Sequence, residues 1–385
     1  MHAHPPRRPR WRSEAAQGTV TRAELFLDLV FVFVITQVTH EVEAHPGAEG
    51  LLHALLPLVV VWWIFLGFGW LTNAVRPDAV EVRLVLTLAM VAFFILGLDL
   101  PFAFDRSGLA FPLAYLTVVL IHLLLYLTSS EPSARRAIRY SFPFNTAAGL
   151  LILLALYVPP AWSWACWGIA VLVLYLQPVL VRMQGFVVEP RHFVERYGLI
   201  LLIVLGESLV AIGIGAGGQA VGLRLAIGVT LGIALAAGVW WVYFDEDEDR
   251  VAVALERAGL SRRQTMAWLF GIVLLVMVIG IVLIAAGITD ALHHFSGHAH
   301  PWWLGCGTAL FLLGHAALRA VLGTGRVRDR LLGATAAVPL GWATSFAGWA
   351  PMAAMTAVLT AVAVTDHLRP DDHGPPDPPA SLPDA

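Results

Sequence analysis

Two carboxylates lie inside the first apolar segment of the chain. Glu24 and Asp28 are four residues apart, so they share one face of a helix, and Thr36 and His40 continue that face at further steps of four. Ionisable groups within a membrane helix are costly and face the bundle interior or a water-filled path. The pair is therefore predicted to bind a proton or a cation within the membrane, or to form the mouth of such a path.

A structural role is the alternative for the same pair. Asp28 lies about 8 Å into its segment at about 1.5 Å per residue, within reach of interfacial arginines such as Arg22, Arg83 or Arg196. Glu24 falls in the first helical turn, where a carboxylate suits the positive end of the helix dipole. An ion pair would then lock helix ends together.

A third acid, Glu207, is predicted to lie near the middle of the membrane. It is ten residues into its apolar segment, a depth of about 15 Å. Gly206 and Ser208 flank it, and small residues at this depth allow close helix approach or local unwinding, as in transporter sites. The alternative is a protonated glutamate that hydrogen-bonds a neighbouring helix and serves only packing.

Three more polar residues are candidates. His122 and His315 lie in apolar segments at matching positions of the two halves of the chain, and each either relays protons or is a hydrogen-bonded structural residue. Asn73 ends an apolar segment after Trp70 and Thr72. It is either part of a polar cluster at the inner mouth or a helix C-cap beside an interfacial tryptophan.

Metal and cofactor motifs are not evident. The segment 290–300 holds four histidines and could bind zinc or sense external pH, but its spacing fits no standard structural zinc site and it could equally be a polar loop. Phosphate-cradling, zinc-helix, serine-elbow and heme motifs are lacking as well. The sequence therefore predicts no metal and no cofactor, and it disfavours an ATP-driven pump or a soluble-type catalytic module.

The elements that position these residues are membrane-spanning helices. Hydrophobic residues make up 58% of the chain and charged residues 13%, against about 25% charged residues in a soluble domain. Long apolar runs recur along the chain, as spanning helices require. They predict an all-α polytopic bundle of about twelve spans, at 23–42, 51–74, 83–104, 109–129, 142–158, 162–182, 197–216, 224–244, 266–288, 302–321, 331–347 and 349–366.

The arginines orient this bundle. With twelve spans and a cytoplasmic N-terminus, 22 of the 24 basic residues fall on the inner side, and only Arg106 and Arg224 fall outside. Positive residues accumulate on the cytoplasmic side, so the protein is predicted to be a multi-pass protein of the cytoplasmic (inner) membrane with both termini inside. Residues 1–20 read as a disordered basic tail and residues 367–385 as a disordered tail rich in Pro and Asp.

Two six-span halves, 21–182 and 183–366, suggest an internal duplication. Asp28 and Glu207 lie in the first span of each half, and Trp62-Trp63 and Trp240-Trp241 in the second. An even number of spans per half would make the repeats parallel. The alternative is that the composition imposed by the bilayer imitates homology.

Several of these motifs resemble the bacterial low temperature requirement A family of integral membrane proteins. The resemblance runs through Glu24-Leu25-Phe26-Leu27-Asp28-Leu29-Val30-Phe31-Val32, Trp62-Trp63, Trp70-Leu71-Thr72-Asn73, Glu195-Arg196-Tyr197-Gly198-Leu199 and Ile203-Val204-Leu205-Gly206-Glu207-Ser208. It implies a multi-span membrane protein named for a cold-growth phenotype, and it supplies no reaction. The plan of six plus six spans, with an acid in the first helix of each half, also looks like some cation channels.

The expected function is transport. The sequence favours a transporter or channel with an acid-lined polar path for an ion or a proton-coupled small solute, with Asp28, Glu207 and Glu24 on the path. An intramembrane enzyme that acts on a lipid and a non-catalytic membrane scaffold or envelope stress factor are the alternatives, so whether the protein is an enzyme stays open. Membrane lipids are expected partners and nucleic acid is not, since the net charge is only −3; the oligomeric state is left open.

Overall fold

The described residues form a bundle of α-helices. The computed structural model describes residues 20–75, 79–129, 131–181, 188–218, 220–244, 247–300 and 302–368, which contain no strand. The all-α prediction is thus confirmed. Apart from Val20, His367 and Leu368, the predicted tails lie outside the described residues. The helices are α1 (Arg22–Ala44), α2 (Ala48–Ala74), α3 (Val80–Leu98), α4 (Ala110–Thr128), α5 (Pro132–Ala155), α6 (Pro160–Val181), α7 (Pro190–Ala216), α8 (Leu223–Phe244), α9 (Asp247–Arg257), α10 (Leu260–His293), α11 (Trp303–Leu322), α12 (Arg328–Ala343) and α13 (Trp349–Leu368).

Eleven of these helices are long and apolar enough to cross a membrane. The exceptions are α9, a polar helix of 11 residues, and α12, which has 16 residues. Each of the twelve predicted spans overlaps one helix other than α9. The eleventh, 331–347, falls on α12, whose length of about 24 Å is short of the ~30 Å hydrocarbon core.

Despite its length, α12 runs between the same two faces of the bundle as its neighbours. At its start, Arg330 pairs with Asp366 near the end of α13, and Asp366 also pairs with Arg319 in the last turn of α11. Just after α12, the Ser345 carbonyl accepts a hydrogen bond of 3.1 Å from the backbone N–H of Ala299, in the loop between α10 and α11. The chain therefore passes from face to face at α12, as a twelve-span topology requires.

The outer surface of the bundle suits lipid. Along α3, large apolar side chains are exposed at spacings of three and four residues, so they form one stripe. In a soluble protein such a contiguous apolar patch would mark an interface or an aggregation site, whereas in a bilayer it faces acyl chains. The stripe consists of Val80, Leu84, Leu88, Val91, Ile95 and Leu98.

The helices form two rings with the same neighbour order. In the first half each helix packs against the next in the order α1, α3, α4, α5, α6, α2 and back to α1. In the second half the order is α7, α10, α11, α12, α13, α8 and back to α7. The rings meet where α1 and α2 pack against α7 and α10, so the acid-bearing first helices of both halves lie at the centre of the bundle.

The described arginines concentrate on the face where α1 begins, which we call the arginine face. Arg106 and Arg224 lie on the opposite face, where the Arg224 guanidinium is 5.3 Å from the ring centroid of Phe295. The helix order places the following arginines on the arginine face: Arg22, Arg83, Arg135, Arg136, Arg139, Arg191, Arg196, Arg250, Arg257, Arg262, Arg263, Arg319, Arg326, Arg328 and Arg330.

Glycines hold α10 and α11 at backbone contact. A Cβ on Gly280 would lie 2.7 Å from the Gly307 carbonyl oxygen and 2.7 Å from the backbone nitrogen of Phe311. A Cβ on Gly307 would lie 2.8 Å from the Gly280 carbonyl oxygen. Lipid is as apolar as the helix surface, so association in a membrane depends on such close packing.

Replacing Gly280 with alanine is expected to destabilise the bundle by about 1–3 kcal/mol, because the new methyl group meets backbone that cannot move aside. Thermal unfolding of the purified protein measures this as a lower Tm. Gly168→Ala on α6 is the matched control, since nothing lies within 4 Å of a Cβ there, and its Tm should not fall. Equal Tm values for both variants would contradict the close packing of α10 on α11.

Candidate functional site

Glu24 caps the first helix. Thr21 is the N-cap residue of α1, and its backbone N–H and Oγ1 both donate to Oε2 of Glu24 at 2.8 Å. The Glu24 backbone N–H in turn donates to Thr21 Oγ1 at 3.4 Å. This is a capping box, in which the side chains at the N-cap and N3 positions satisfy helix-end donors.

Arg196 of α7 joins both carboxylates of α1. Its Nη1 donates to Oε1 of Glu24 at 3.1 Å and to Oγ1 of Thr72 at 2.7 Å, and its Nη2 donates to Oδ1 of Asp28 at 3.0 Å. Nε2 of His192 lies 3.2 Å from Oε1 of Glu24. We call these five residues the Arg196 cluster. Its charged side chains are 1% exposed and His192 is fully buried, so the cluster is an ion pair shielded from solvent.

Charge in the Arg196 cluster is unbalanced. Two carboxylates face one guanidinium, and Oδ2 of Asp28 and Nε of Arg196 are buried without a hydrogen-bond partner. A buried net charge is costly unless it is compensated. A proton taken up by a carboxylate of the cluster, or a bound cation, would supply the missing positive charge. The Arg196 cluster can therefore serve as a structural lock and can also exchange one positive charge.

Glu207 lies apart from the Arg196 cluster. It is 4% exposed, and its Oε1 accepts a hydrogen bond of 2.5 Å from Oγ1 of Thr36 on α1. Among the described residues it forms no ion pair, and Thr36 is its hydrogen-bond partner. Ser208 is fully buried, and its hydroxyl has no partner. An isolated buried carboxylate at this depth must hold a proton or a cation.

Apolar side chains separate Glu207 from the Arg196 cluster. Glu207 is eleven residues beyond Arg196 on the same helix, or about 16 Å. Phe31, one turn after Asp28, stacks on Phe65 with ring centroids 3.8 Å apart, and Phe65 lies 6.0 Å from the Arg196 guanidinium. Both rings are buried. This layer closes the interior between the two polar sites.

Polar groups continue beyond Glu207 towards the opposite face. Thr289 and Asp290 of α10 are buried on that side, and Oε1 of Glu43, near the end of α1, is buried without a hydrogen-bond partner. Buried polar side chains thus lie at the interface of α1, α7 and α10 on both sides of the apolar layer formed by Phe31 and Phe65.

Asp290 anchors the histidine-containing loop. Its Oδ1 lies 3.0 Å from Nδ1 of His294 and 2.9 Å from Nδ1 of His300, and its Oδ2 accepts from the His300 backbone N–H at 2.6 Å. Within the part of the chain that the structure describes, no three His, Cys, Asp or Glu side chains are arranged to hold a metal ion.

Among the described side chains, those of His122 and His315 do not contact Glu24, Asp28 or Glu207. The ring of His122 lies between Phe68 and Tyr126, at centroid distances of 5.1 and 4.9 Å. Nδ1 of His315 accepts a 3.0 Å hydrogen bond from Nε of Arg330, so its surroundings are ionic. Asn73 is within α2, and its side chain lies outside the described residues; its neighbour Thr72 is the one that joins the Arg196 cluster.

Sequence reasoning missed His192 and Thr72 as site residues. Arg196 is one of the three arginines that the sequence places within reach of Asp28, and its helix also carries Glu207. His192 could have been found from its spacing to Arg196, because residues four apart on one helix share a face. Asp366 and Arg330 were missed too, although Asp366 is an acid within the last predicted span.

The Arg196 cluster and Glu207 lie within the part of the chain that matches a known protein family. Residues 19–364 match the family described as Bacterial low temperature requirement A protein (LtrA). The chain is 26% identical over 324 residues to "Uncharacterized protein RA0937" of Rhizobium meliloti (strain 1021), an alignment that covers 77% of this chain and 76% of that one. No solved structure matches the chain.

Proposed function

The chain belongs to the bacterial low temperature requirement A family, and we propose that it is a transporter or channel for an ion or a proton-coupled small solute. Its path follows the interface of α1, α7 and α10. The observation that carries the proposal is Glu207: a buried carboxylate at mid-helix whose hydrogen bond comes from Thr36 and which forms no ion pair among the described residues.

Such a group is costly in a purely structural role. A charge in the bilayer core costs at least about 2.5–3.5 kcal/mol, and a glutamate that stays protonated can be replaced there by glutamine at little cost. A carboxylate that alternates between binding and releasing a proton or a cation performs one step of transport. The polar groups of the Arg196 cluster on one side, and Glu43 and Asp290 on the other, give that charge a route to both faces.

The apolar layer of Phe31 and Phe65 closes this route in the conformation seen here. Transport then requires the layer to open, and movement of α1 relative to α7 and α2 would open it. That movement requires the ion pairs of Arg196 to break, because Arg196 joins α7 to both acids of α1.

We further propose that the two rings of helices are parallel repeats, 21–182 and 183–366. Their shared neighbour order supports this, as does the placing of Asp28 and Glu207 on the first helix of each ring. Transporters built from repeats bind their substrate near the bilayer midplane where the repeats meet. The interface of α1 with α7 is such a place.

The arginine face is proposed to be cytoplasmic. Fifteen described arginines lie there against two on the other face, and basic residues in short loops favour the inside. Both α1 and α13 have their terminal ends on this face, so the protein would be an inner-membrane protein with both termini inside. Membrane lipids are then its immediate partners.

A non-catalytic membrane scaffold is the second candidate. The observation in its favour is the Arg196 cluster, in which one guanidinium fixes two helices through both acids, as a static lock would. An enzyme that acts on lipid has no comparable support, because Glu24 and Asp28 are fully buried and cannot reach a lipid headgroup in this conformation.

The test is flux through liposomes that contain the purified protein, followed with an internal pH-sensitive dye and imposed proton, potassium or sodium gradients. Dissipation of at least one gradient faster than in protein-free liposomes is the expected result. If all three gradients persist, proteoliposomes loaded with labelled small solutes under a proton gradient are examined next. Failure there as well would favour the scaffold.

A further inference from the structure

A cavity with several polar side chains in its lining lies between the first ring and α10, away from the carboxylate path. It has a volume of about 40 Å³ and is bounded by side chains of α2, α4, α5, α6 and α10. A water-sized site needs about 10–15 Å³, so the cavity has room for roughly three small atoms. None of its described lining residues is an Asp, Glu or Arg.

Several polar groups of the lining are already paired with one another. Nε1 of Trp63 donates to Oδ1 of Asn145 at 2.9 Å, and Nδ2 of Asn145 donates to Oγ of Ser141 at 3.0 Å. Nε2 of Gln177 also donates to Oγ of Ser141. This network fixes the positions of the remaining groups.

Three buried polar atoms in the lining have no partner. They are Oε1 of Gln177, Nε2 of His122 and Nε1 of Trp268. Gln177 is 1% exposed and His122 is 5% exposed. The amide oxygen can only accept and the indole nitrogen can only donate, whereas the imidazole nitrogen does either according to its tautomer. Leaving such atoms unpaired costs about 1–3 kcal/mol each.

We propose that this cavity binds a small neutral solute of the amide class. The ligand must both donate, to Gln177, and accept, from Trp268. A charged ligand would lose its hydration without gaining an opposite charge, because no lining residue supplies one. An amide carries its donor and acceptor on different atoms, and an amide of three or four heavy atoms suits the volume.

In the second ring, an ion pair occupies the position that corresponds to this cavity. Arg330 and Asp366 follow Ser141 and Gln177 at the same distance of 189 residues, and they form an ion pair where Ser141 and Gln177 form a hydrogen bond. Nε of Arg330 also donates to His315, which lies on α11 as His122 lies on α4. An ion pair there leaves no need for a neutral ligand, so the binding site belongs to the first ring.

Saturation-transfer NMR on the purified protein tests the proposal with acetamide as the probe. Acetate, methylammonium and methanol serve as comparators of similar size that are anionic, cationic or hydroxylic. Saturable binding of acetamide, with at least tenfold weaker binding of acetate and methylammonium, is expected. The readout is binding rather than flux, so its failure is distinct from a failure of the transport proposal.

Two variants locate the binding. Gln177→Met removes the acceptor at similar volume, and Gly67→Ala adds a methyl group 3.0 Å from Cε1 of His122. Each should weaken acetamide binding about tenfold or more, since one hydrogen bond or the space itself is lost. Thr308→Val, which removes a buried unpartnered hydroxyl in the second ring, should leave binding unchanged. The proposal would be overturned if the unaltered protein showed no saturable binding of acetamide, which would mean that the cavity holds water only. It would also be overturned if acetate bound as well as acetamide, or if both cavity variants bound acetamide as well as the unaltered protein.

Discussion

Liposomes that contain the Glu207→Gln variant are expected to dissipate ion gradients no faster than protein-free liposomes. Glutamine has the shape of glutamate and its carbonyl oxygen still accepts the hydrogen bond from Thr36, so the fold is retained. It cannot take up and release a proton, and it offers no charge to a cation. If Glu207 is the mid-membrane binding group, the loss of flux is complete rather than partial.

The control for this variant is Glu81→Gln, which makes the same chemical change at an exposed position in the first turn of α3. Its flux should equal that of the unaltered protein. Elution volume and Tm of both variants show whether they fold. A folded Glu207→Gln protein with normal flux would remove Glu207 from the path, even if transport itself is established.

Much of the fold follows from the sequence because the bilayer imposes a simple rule. Backbone polar groups in lipid must be paired within the segment, so each apolar run long enough to cross is a helix. Hydropathy locates the membrane boundary, however, and not the helix end. The ninth span was predicted as 266–288, whereas α10 covers Leu260–His293, because polar residues such as Arg262 and Arg263 extend the helix into water. α9, which does not cross, has an apolar run of only five residues, 251–255, which is too short to predict a span.

The partners within the site could not be predicted, because they are set by tertiary packing. Three arginines were within reach of Asp28, and only the packing of α7 against α1 selects Arg196, 168 residues away. Likewise Thr36 was placed on the polar face of α1 and Glu207 at mid-membrane, but nothing local joins them. His122 and His315 share a position in the two halves and yet have an aromatic and an ionic environment, because the residue that corresponds to Arg330 in the first ring is the uncharged Ser141.

Arg196 is expected to contribute strongly to the stability of the fold. Replacing it with methionine is expected to destabilise the protein by about 3–5 kcal/mol, because two buried carboxylates would lose their cation while remaining buried. Tm in detergent should fall strongly, and the start of α1 should become accessible to protease, since Glu24 caps that helix. Arg191→Met on the same helix is the matched control: its bond to Glu256 is solvent-exposed, with a side chain 64% accessible, and such pairs contribute only about 0–1 kcal/mol.

A triple variant separates the loss of a cation from the loss of packing. Replacing a buried ion pair by neutral groups is often tolerated, whereas removing one partner is not. Adding Glu24→Gln and Asp28→Asn to Arg196→Met removes the two unpaired charges, so most of the lost stability should return. A triple variant as unstable as the single one would show that Arg196 acts through its packing rather than its charge. If the triple variant is stable but has lost flux, the Arg196 cluster is part of the transport path. If the triple variant is stable and keeps its flux, the Arg196 cluster has a structural role and Glu207 is the group that moves charge.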